Sequence, residues 1–162
     1  MKPTVYIETS IISYLASHPS RDLVAAAHQQ ITHEWWRRRR PSFELFASQL
    51  VVDEAAAGNS LAAERRSSYL VNLPLLDITP AVSAFAAYLA RSVGIPVRAS
   101  ADALHIATAT CHGVDFLLTW NCAHIANAEL RFLVERSCRE QGYEAPALCT
   151  PEELMGEYGH EY

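Results

Sequence analysis

The sequence predicts an α/β protein in which a central, mostly parallel sheet lies between two layers of helices, a three-layer α/β/α fold. Short strand-like segments alternate with helix-like segments along the chain, as in a parallel sheet covered on both faces. Half of the residues are apolar, which is enough for a real core. The 162 residues suit one domain, expected at 1–155, followed by a flexible C-terminal tail at 156–162.

The first predicted unit is a strand followed by a helix. Thr4–Ile7 is short, β-branched and aromatic, which indicates a buried strand. Glu8 follows at its carboxyl end. Either Thr9 or Ser10 is expected to cap a helix that begins at Ile11.

The next predicted unit begins with a second helix at about 22–39. Residues 43–47 then alternate with a period of two and indicate a strand. Ser48 is expected to cap a helix that contains Glu54, and Gly58 is expected to end it.

The second half of the chain repeats the alternation. Thr79 is a cap residue and Pro80 suits the first helical position, so a helix is expected from there to about Gly94. The other elements are expected to be a helix at 62–72, a short strand at 75–78, a helix opening at 100–107, a strand at 116–119, a helix at 127–140, a strand at 148–151 and a short terminal helix at 152–154.

The charge balance limits how nucleic acid can be bound. The formal net charge is -5, so contact with nucleic acid requires a local basic patch. The strongest basic run is 37–40, which fits RNA phosphates, an acidic partner or a solvated helix end. Trp35 and Trp36 adjoin the run, and an interface role is favoured for them over stacking on bases.

Several protein classes have no support in the sequence. There is no G-x-G-x-x-G, P-loop, G-x-S-x-G or C-x-x-C pattern among the 162 residues. The sequence shows neither the apolar region of a signal peptide nor an apolar run of about 20 residues. We therefore expect a cytoplasmic protein with no membrane span and with free thiols.

Acidic side chains are expected near one edge of the sheet. Glu8 ends the first strand and Asn121 follows the strand 116–119, so both lie at the carboxyl edge, where such sheets bind ligands. Asp102 falls in the first turn of a helix, a position that the helix dipole alone favours. If Glu8, Glu54 and Asp102 converge, their mutual repulsion calls for a proton or a hard cation such as Mg²⁺.

Neighbouring residues leave alternatives open. Asp53 is the fallback for Glu54, because adjacent helical residues point about 100° apart and cannot both enter one cleft. His105 lies on the Asp102 face, where a packed histidine beneath the site is favoured over one that contacts phosphate. His112, Cys122 and His124 fit no zinc spacing.

Four segments in order resemble the motifs of the PIN-domain family. They are a strand ending in an acid followed by Thr or Ser at 5–12, a segment with a single glutamate at 48–54, Ala-Asp-Ala-Leu-His-Ile-Ala at 101–107 and a strand with polar Thr and Asn positions at 115–121. The order and spacing agree over about residues 4–151. By pattern, the chain is most similar to VapC-type toxins of toxin–antitoxin pairs.

The resemblance implies a Mg²⁺- or Mn²⁺-dependent ribonuclease that hydrolyses RNA with a metal-activated water. It implies that Thr9 and Thr119 orient the acids or bound water. The metal ligands that it implies are Glu8, Glu54, Asp102 and Asn121. A small antitoxin protein and a homodimer are implied as partners, with the antitoxin docking on apolar surface of the early helices at Tyr14, Leu15 and Trp35.

Two residues depart from the family pattern. The first position is usually Asp, so the longer Glu8 side chain has to fold back to place the same oxygen. The fourth is often Asp, and the neutral Asn121 is expected to weaken metal binding. These departures leave open a catalytically weak or inactive PIN-like module that binds RNA or protein. A phosphatase-like hydrolase that uses the same acids and Mg²⁺ is a separate alternative.

Overall fold

The computed structural model describes residues 1–156, and these form a three-layer α/β/α fold around a five-stranded parallel sheet. The strands are β1 (Thr4–Ile7), β2 (Glu44–Ser48), β3 (Leu75–Leu76), β4 (Phe116–Leu118) and β5 (Ala147–Cys149). Their order across the sheet is β3-β2-β1-β4-β5, and every pairing is parallel. The predicted fold class is confirmed. The predicted tail lies, except for Gly156, outside the described residues.

Seven α-helices form the two outer layers of the described fold. They are α1 (Thr9–Ala16), α2 (Leu23–Arg38), α3 (Gln49–Ala55), α4 (Ser60–Ser68), α5 (Pro80–Val93), α6 (Ser100–Cys111) and α7 (Ala128–Glu140). Helix α1 packs with α2, α3 and α4, whereas α5 packs with α6 and α7. Right-handed crossovers put these two groups on opposite faces, because the chain adds strands in one direction through β3 and in the other from β4.

The strand order creates a switch point beside the central strand. From β1 the chain first builds outward through β2 and β3 and then crosses back to place β4 on the other side of β1. Val5, Tyr6 and Ile7 of β1 are all fully buried, so the strand is at the centre of the core. In open α/β sheets, ligands bind beyond the carboxyl ends of strands at this kind of point.

The start of α1 differs from the prediction. The helix begins at Thr9, and its N-cap is Glu8, whose carboxylate accepts a hydrogen bond from the Ser10 backbone N–H at 3.0 Å. The predicted caps, Thr9 and Ser10, were wrong because their hydroxyls bond to the carboxylates of Glu54 and Glu8 instead. Local sequence alone does not reveal that competition.

Three further local predictions were also wrong. Ser48 precedes α3 but makes no capping hydrogen bond with its side chain. Helix α4 ends at Ser68 instead of 72, and the predicted terminal helix at 152–154 is a series of turns. By contrast, the predicted cap Thr79 accepts a hydrogen bond from the first turn of α5. Asn127, predicted as the first residue of the helix at 127–140, is instead the N-cap of α7.

The tryptophan predicted to serve an interface belongs to the core. Trp35 is fully buried, its ring stacks on Phe43, and its indole N–H donates to the Leu154 carbonyl at 3.1 Å. Leu15 is buried as well, so the predicted docking surface at Tyr14, Leu15 and Trp35 was wrong. Trp36 is half-buried and lies edge-on to Tyr69.

Two further features concern helix length and cysteine pairing. Among residues 1–156, every helix is too short or too polar to cross a bilayer. All four cysteines lie in this part of the chain and none forms a disulfide, as expected for free thiols.

Candidate active site

The carboxyl edge of β1 and β4 holds a buried carboxylate. Glu8 follows β1 directly and is only 6% exposed. Its Oε2 accepts hydrogen bonds from the Ser10 backbone N–H at 3.0 Å, the Thr119 hydroxyl at 2.7 Å and the Ser10 hydroxyl. Its Oε1 lies 3.9 Å from His105 Nε2. Three donors on one oxygen fix the orientation of this carboxylate.

A second carboxylate reaches the same region from α3. Glu54 Oε1 accepts from the Thr9 hydroxyl at 2.8 Å and lies 2.6 Å from His105 Nε2. Burial raises the pKa of Glu54, but the hydrogen bonds from His105 and Thr9 outweigh it, so the pKa lies below its ordinary value. Asp53 is exposed and accepts from Gln49 at 2.8 Å. Of the two candidates on α3, the structure turns Glu54 toward Glu8.

His105 lies beneath these two carboxylates. It is fully buried, and its Nδ1 lies 2.7 Å from the Tyr6 hydroxyl, which is 2.8 Å from Ser48 Oγ. Burial strongly raises the pKa of Tyr6, so the phenol keeps its proton. The predicted packed, hydrogen-bonded histidine is confirmed.

Asp102 and Asn121 are joined through His124, which the sequence analysis weighed only as a zinc ligand. His124 Nδ1 lies 2.9 Å from Asp102 Oδ2, and the His124 backbone N–H donates to Asn121 Oδ1 at 3.0 Å. The Asn121 backbone N–H donates to the Thr119 hydroxyl at 2.9 Å. The available signal was the Asn-x-x-His spacing, in which the Asn side chain caps a turn and fixes the histidine that follows.

These bonds join the six predicted site residues into two groups on either side of His105. One group is Glu54 with Thr9. The other is Glu8, Thr119, Asn121 and Asp102, linked partly through His124. Within residues 1–156, no three His, Cys, Asp or Glu side chains stand close enough together to hold a metal ion. His105 and His124 are the side chains that pair with Glu54 and Asp102, respectively.

The donor chemistry nevertheless fits a hard divalent cation. Glu8 Oε1, Glu54 Oε2 and Asp102 Oδ1 accept no hydrogen bond from any described residue, whereas the other oxygen of each carboxylate does. Mg²⁺ is bound through one or two carboxylates and keeps several waters, so it does not require a complete protein cage. Oxygen-only donors suit Mg²⁺ or Mn²⁺ better than they suit zinc.

The basic run at 37–40 ends at the edge of the sheet opposite this site. Arg40 lines a cleft with Lys2 and Phe43 at the amino ends of β1 and β2, the opposite edge of the sheet. Arg65 and Arg66 also lie away from the site, because they donate to the last carbonyls of α1 and α3 at 3.1 and 2.8 Å and brace those helices.

Comparison with known proteins identifies the family pattern. A model of the PIN domain matches residues 5–121, which is more than two thirds of the chain. The matched span runs from β1 to just beyond β4 and contains all six predicted site residues. No curated protein matches the chain.

Proposed function

We propose, from the premise that this chain belongs to the PIN domain family of nuclease-type domains, that it is a metal-dependent endoribonuclease. The observation that carries the proposal is the cluster of oxygen donors beyond β1 and β4, where Glu8 and Glu54 flank His105 and Asp102 lies one turn before it on α6. This is the switch point of the sheet, where a ligand is expected.

The residues proposed to hold Mg²⁺ or Mn²⁺ are Glu8, Glu54, Asp102 and Asn121. A bound cation supplies Lewis-acid polarisation of a phosphate oxygen and lowers the pKa of a coordinated water. Asp102 presents only Oδ1 while Oδ2 is paired with His124. The Asn121 side-chain oxygen already accepts one backbone N–H, and its second lone pair remains for a ligand.

The chain's own residues orient these oxygens. Thr119 and Ser10 hold one oxygen of Glu8, and Thr9 and His105 hold one oxygen of Glu54. Each carboxylate therefore offers its second oxygen in a fixed direction. Such preorganisation lowers the cost of arranging ligands and substrate at the moment of reaction.

The structure also suggests how Glu substitutes for the usual Asp. The Glu8 carboxylate curls back to accept the Ser10 N–H at the start of α1, which shortens its reach to that of a smaller acid. The positive end of the helix dipole favours a negative charge there. This supports the proposal that Glu8 fills the acidic position.

Cleavage of a structured RNA in the presence of Mg²⁺ or Mn²⁺ tests the proposal. Asp102→Asn is expected to lower the rate by about 100-fold, the scale of losing one electrostatic contributor in an active site. Asp53→Asn is the matched control, because Asp53 is exposed and bonds only to Gln49 among the described residues. Equal cleavage by the unmodified protein and Asp102→Asn contradicts the proposal.

Two alternatives are separated by the same experiment. Hydrolysis of a small phosphomonoester without RNA cleavage would indicate the phosphatase-like hydrolase. A protein that binds RNA but neither cleaves it nor binds Mn²⁺ would indicate an inactive module.

We further propose that the protein is the toxin of a toxin–antitoxin pair, acts in the cytoplasm and forms a homodimer. The proposal is supported by the motif pattern, which is most similar to VapC-type toxins. Co-purification with the small product of the adjacent gene, and loss of RNA cleavage in that complex, are the expected results. Failure of the two proteins to co-purify contradicts the toxin assignment.

A further inference from the structure

We propose that His105 is a positioning residue, held by Tyr6 and Ser48, that sets the Glu54 carboxylate opposite Glu8 so that the two can share a divalent cation. The inference rests on the proposed function, because it concerns the same site. It assigns a role to three buried side chains that the motif resemblance leaves without one. Tyr6 and His105 are fully buried, and Ser48 is as well.

The hydrogen bonds run in one direction. An ionised carboxylate only accepts, so the 2.6 Å contact requires His105 Nε2 to carry the hydrogen that Glu54 receives. In a neutral ring, Nδ1 is then an acceptor, and the Tyr6 hydroxyl at 2.7 Å must donate to it. Ser48, at 2.8 Å, then donates to the Tyr6 oxygen. The direction is thus Ser48 to Tyr6 to His105 to Glu54.

This series of hydrogen bonds explains why the Ser48 side chain does not cap α3. Ser48 occupies the N-cap position, yet its hydroxyl makes no capping bond and lies against Tyr6. A serine at an N-cap normally stabilises its own helix by about 1 kcal/mol. At this position the hydroxyl instead completes a buried polar chain, in which every member needs a partner.

The position of His105 also separates the two acids. Its Nε2 lies 2.6 Å from Glu54 Oε1 and 3.9 Å from Glu8 Oε1, so the ring N–H stands between two like charges. Thr9 holds the same Glu54 oxygen at 2.8 Å, which leaves Oε2 as the oxygen for a cation. Partners behind metal ligands commonly affect metal affinity by about 10- to 100-fold.

The first test is the ring tautomer, measured on the unmodified, metal-free protein by long-range ¹H–¹⁵N NMR correlation. His105 is expected to carry its hydrogen on Nε2 and to have an unprotonated Nδ1. The signal is assigned by its disappearance in His105→Gln. A hydrogen on Nδ1 overturns the proposal. This measurement does not depend on nuclease activity or on any variant keeping the site intact.

The second test is calorimetric titration with Mn²⁺. Tyr6→Phe keeps the ring and removes the donor to Nδ1, and we expect it to weaken Mn²⁺ binding by about 10-fold. Thr110→Val is the matched control: it removes another buried hydroxyl, whose bond is to the Ile106 carbonyl of the same helix, and should bind as the unmodified protein does.

The outcomes separate this proposal from the nuclease assignment. Equal Mn²⁺ affinity in Tyr6→Phe and Thr110→Val overturns the positioning role, and so does an unmodified protein that binds no Mn²⁺. A protein that cleaves no RNA, yet binds Mn²⁺ and loses affinity on Tyr6→Phe, retains the positioning role and contradicts only the nuclease function.

Discussion

Replacing Thr119 with valine tests how far the buried hydrogen bonds of the site stabilise the fold. Thr119 is fully buried, donates to Glu8 Oε2 at 2.7 Å and accepts from the Asn121 N–H at 2.9 Å. Valine has nearly the same shape but makes neither bond. Glu8 is 6% exposed, so water has little access to replace the lost donor.

The expected magnitude follows from those two bonds. A hydrogen bond to a charged group contributes roughly 1.5–3 kcal/mol, and the Asn121 N–H also loses the Thr119 hydroxyl as its acceptor. The greater hydrophobicity of valine offsets part of this loss. We therefore expect Thr119→Val to lower the free energy of unfolding by about 2 kcal/mol, or Tm by about 6 °C for a domain of this size.

The chain offers a matched control at the opposite edge of the sheet. Thr4 Oγ1 donates to Asp115 Oδ2 at 2.8 Å and accepts from the Asp115 N–H at 3.0 Å, the same pair of bonds to a carboxylate and a backbone amide. Because Asp115 is exposed, water can replace these bonds, and Thr4→Val should cost about 0.5 kcal/mol.

The assay is urea unfolding in EDTA, followed by circular dichroism. Two outcomes would contradict the expectation that burial increases the contribution of these hydrogen bonds to stability. One is an equal loss of unfolding free energy in Thr119→Val and Thr4→Val, and the other is a loss below about 0.5 kcal/mol in Thr119→Val.

The remaining predictions concern packing, backbone conformation and pH. Trp35→Ala should lower the free energy of unfolding by about 4 kcal/mol in urea unfolding, because it empties a fully buried site. Gly94→Ala should lower it by about 1 kcal/mol, since Gly94 has φ +80° and an added Cβ meets no atom within 4 Å, which leaves only backbone strain. The Thr4 backbone N–H and hydroxyl hold the pKa of Asp115 below its ordinary value. The stability from Asp115 should therefore be present above the unfolded-state pKa of about 3.9 and disappear as pH falls through the folded value, so Asp115→Asn should destabilise at pH 7 more than at low pH.

Each of these has a control or a contradicting result. Trp36→Ala should cost less than Trp35→Ala because Trp36 is only half-buried, and equal losses would argue against the core position of Trp35. Gly94→Asn should be milder than Gly94→Ala, because asparagine tolerates the left-handed region. A cost of Asp115→Asn that does not vary with pH would contradict the Thr4 contacts.

The sequence predicted the sheet and most helices because those depend on local patterns. Thr4–Ile7 is β-branched and aromatic, and it forms the buried strand that this composition predicts. Thr79 and Pro80 begin α5, and Gly94 with φ +80° follows its end, so signals within one turn of the chain were sufficient.

The site contacts could not be predicted because they join residues far apart in the chain. Thr119 reaches Glu8 across 111 positions, and Tyr6 reaches His105 across 99. Ser48 and Thr9 look like helix caps in the local sequence, but their hydroxyls hydrogen-bond to the Tyr6 hydroxyl and to Glu54 instead. A local motif cannot show which of two acceptors a hydroxyl will choose.

The same dependence on distant contacts explains why the burial of Trp35 and the contact of His124 with Asp102 were not predicted. An amphipathic helix with adjacent tryptophans leaves open which ring faces the core, and packing against Phe43 decides it for Trp35. His124 meets Asp102 only because α6 packs against β4, the strand that precedes the His124 turn.

Anomalous diffraction at the manganese edge, from crystals grown with Mn²⁺, would locate a cation held between Glu8 and Glu54. We expect a single strong peak within bonding distance of free carboxylate oxygens of Glu8 and Glu54, with Asp102 beside it. A peak bound elsewhere, or well-ordered Glu8 and Glu54 carboxylates with no peak between them at saturating Mn²⁺, would contradict it.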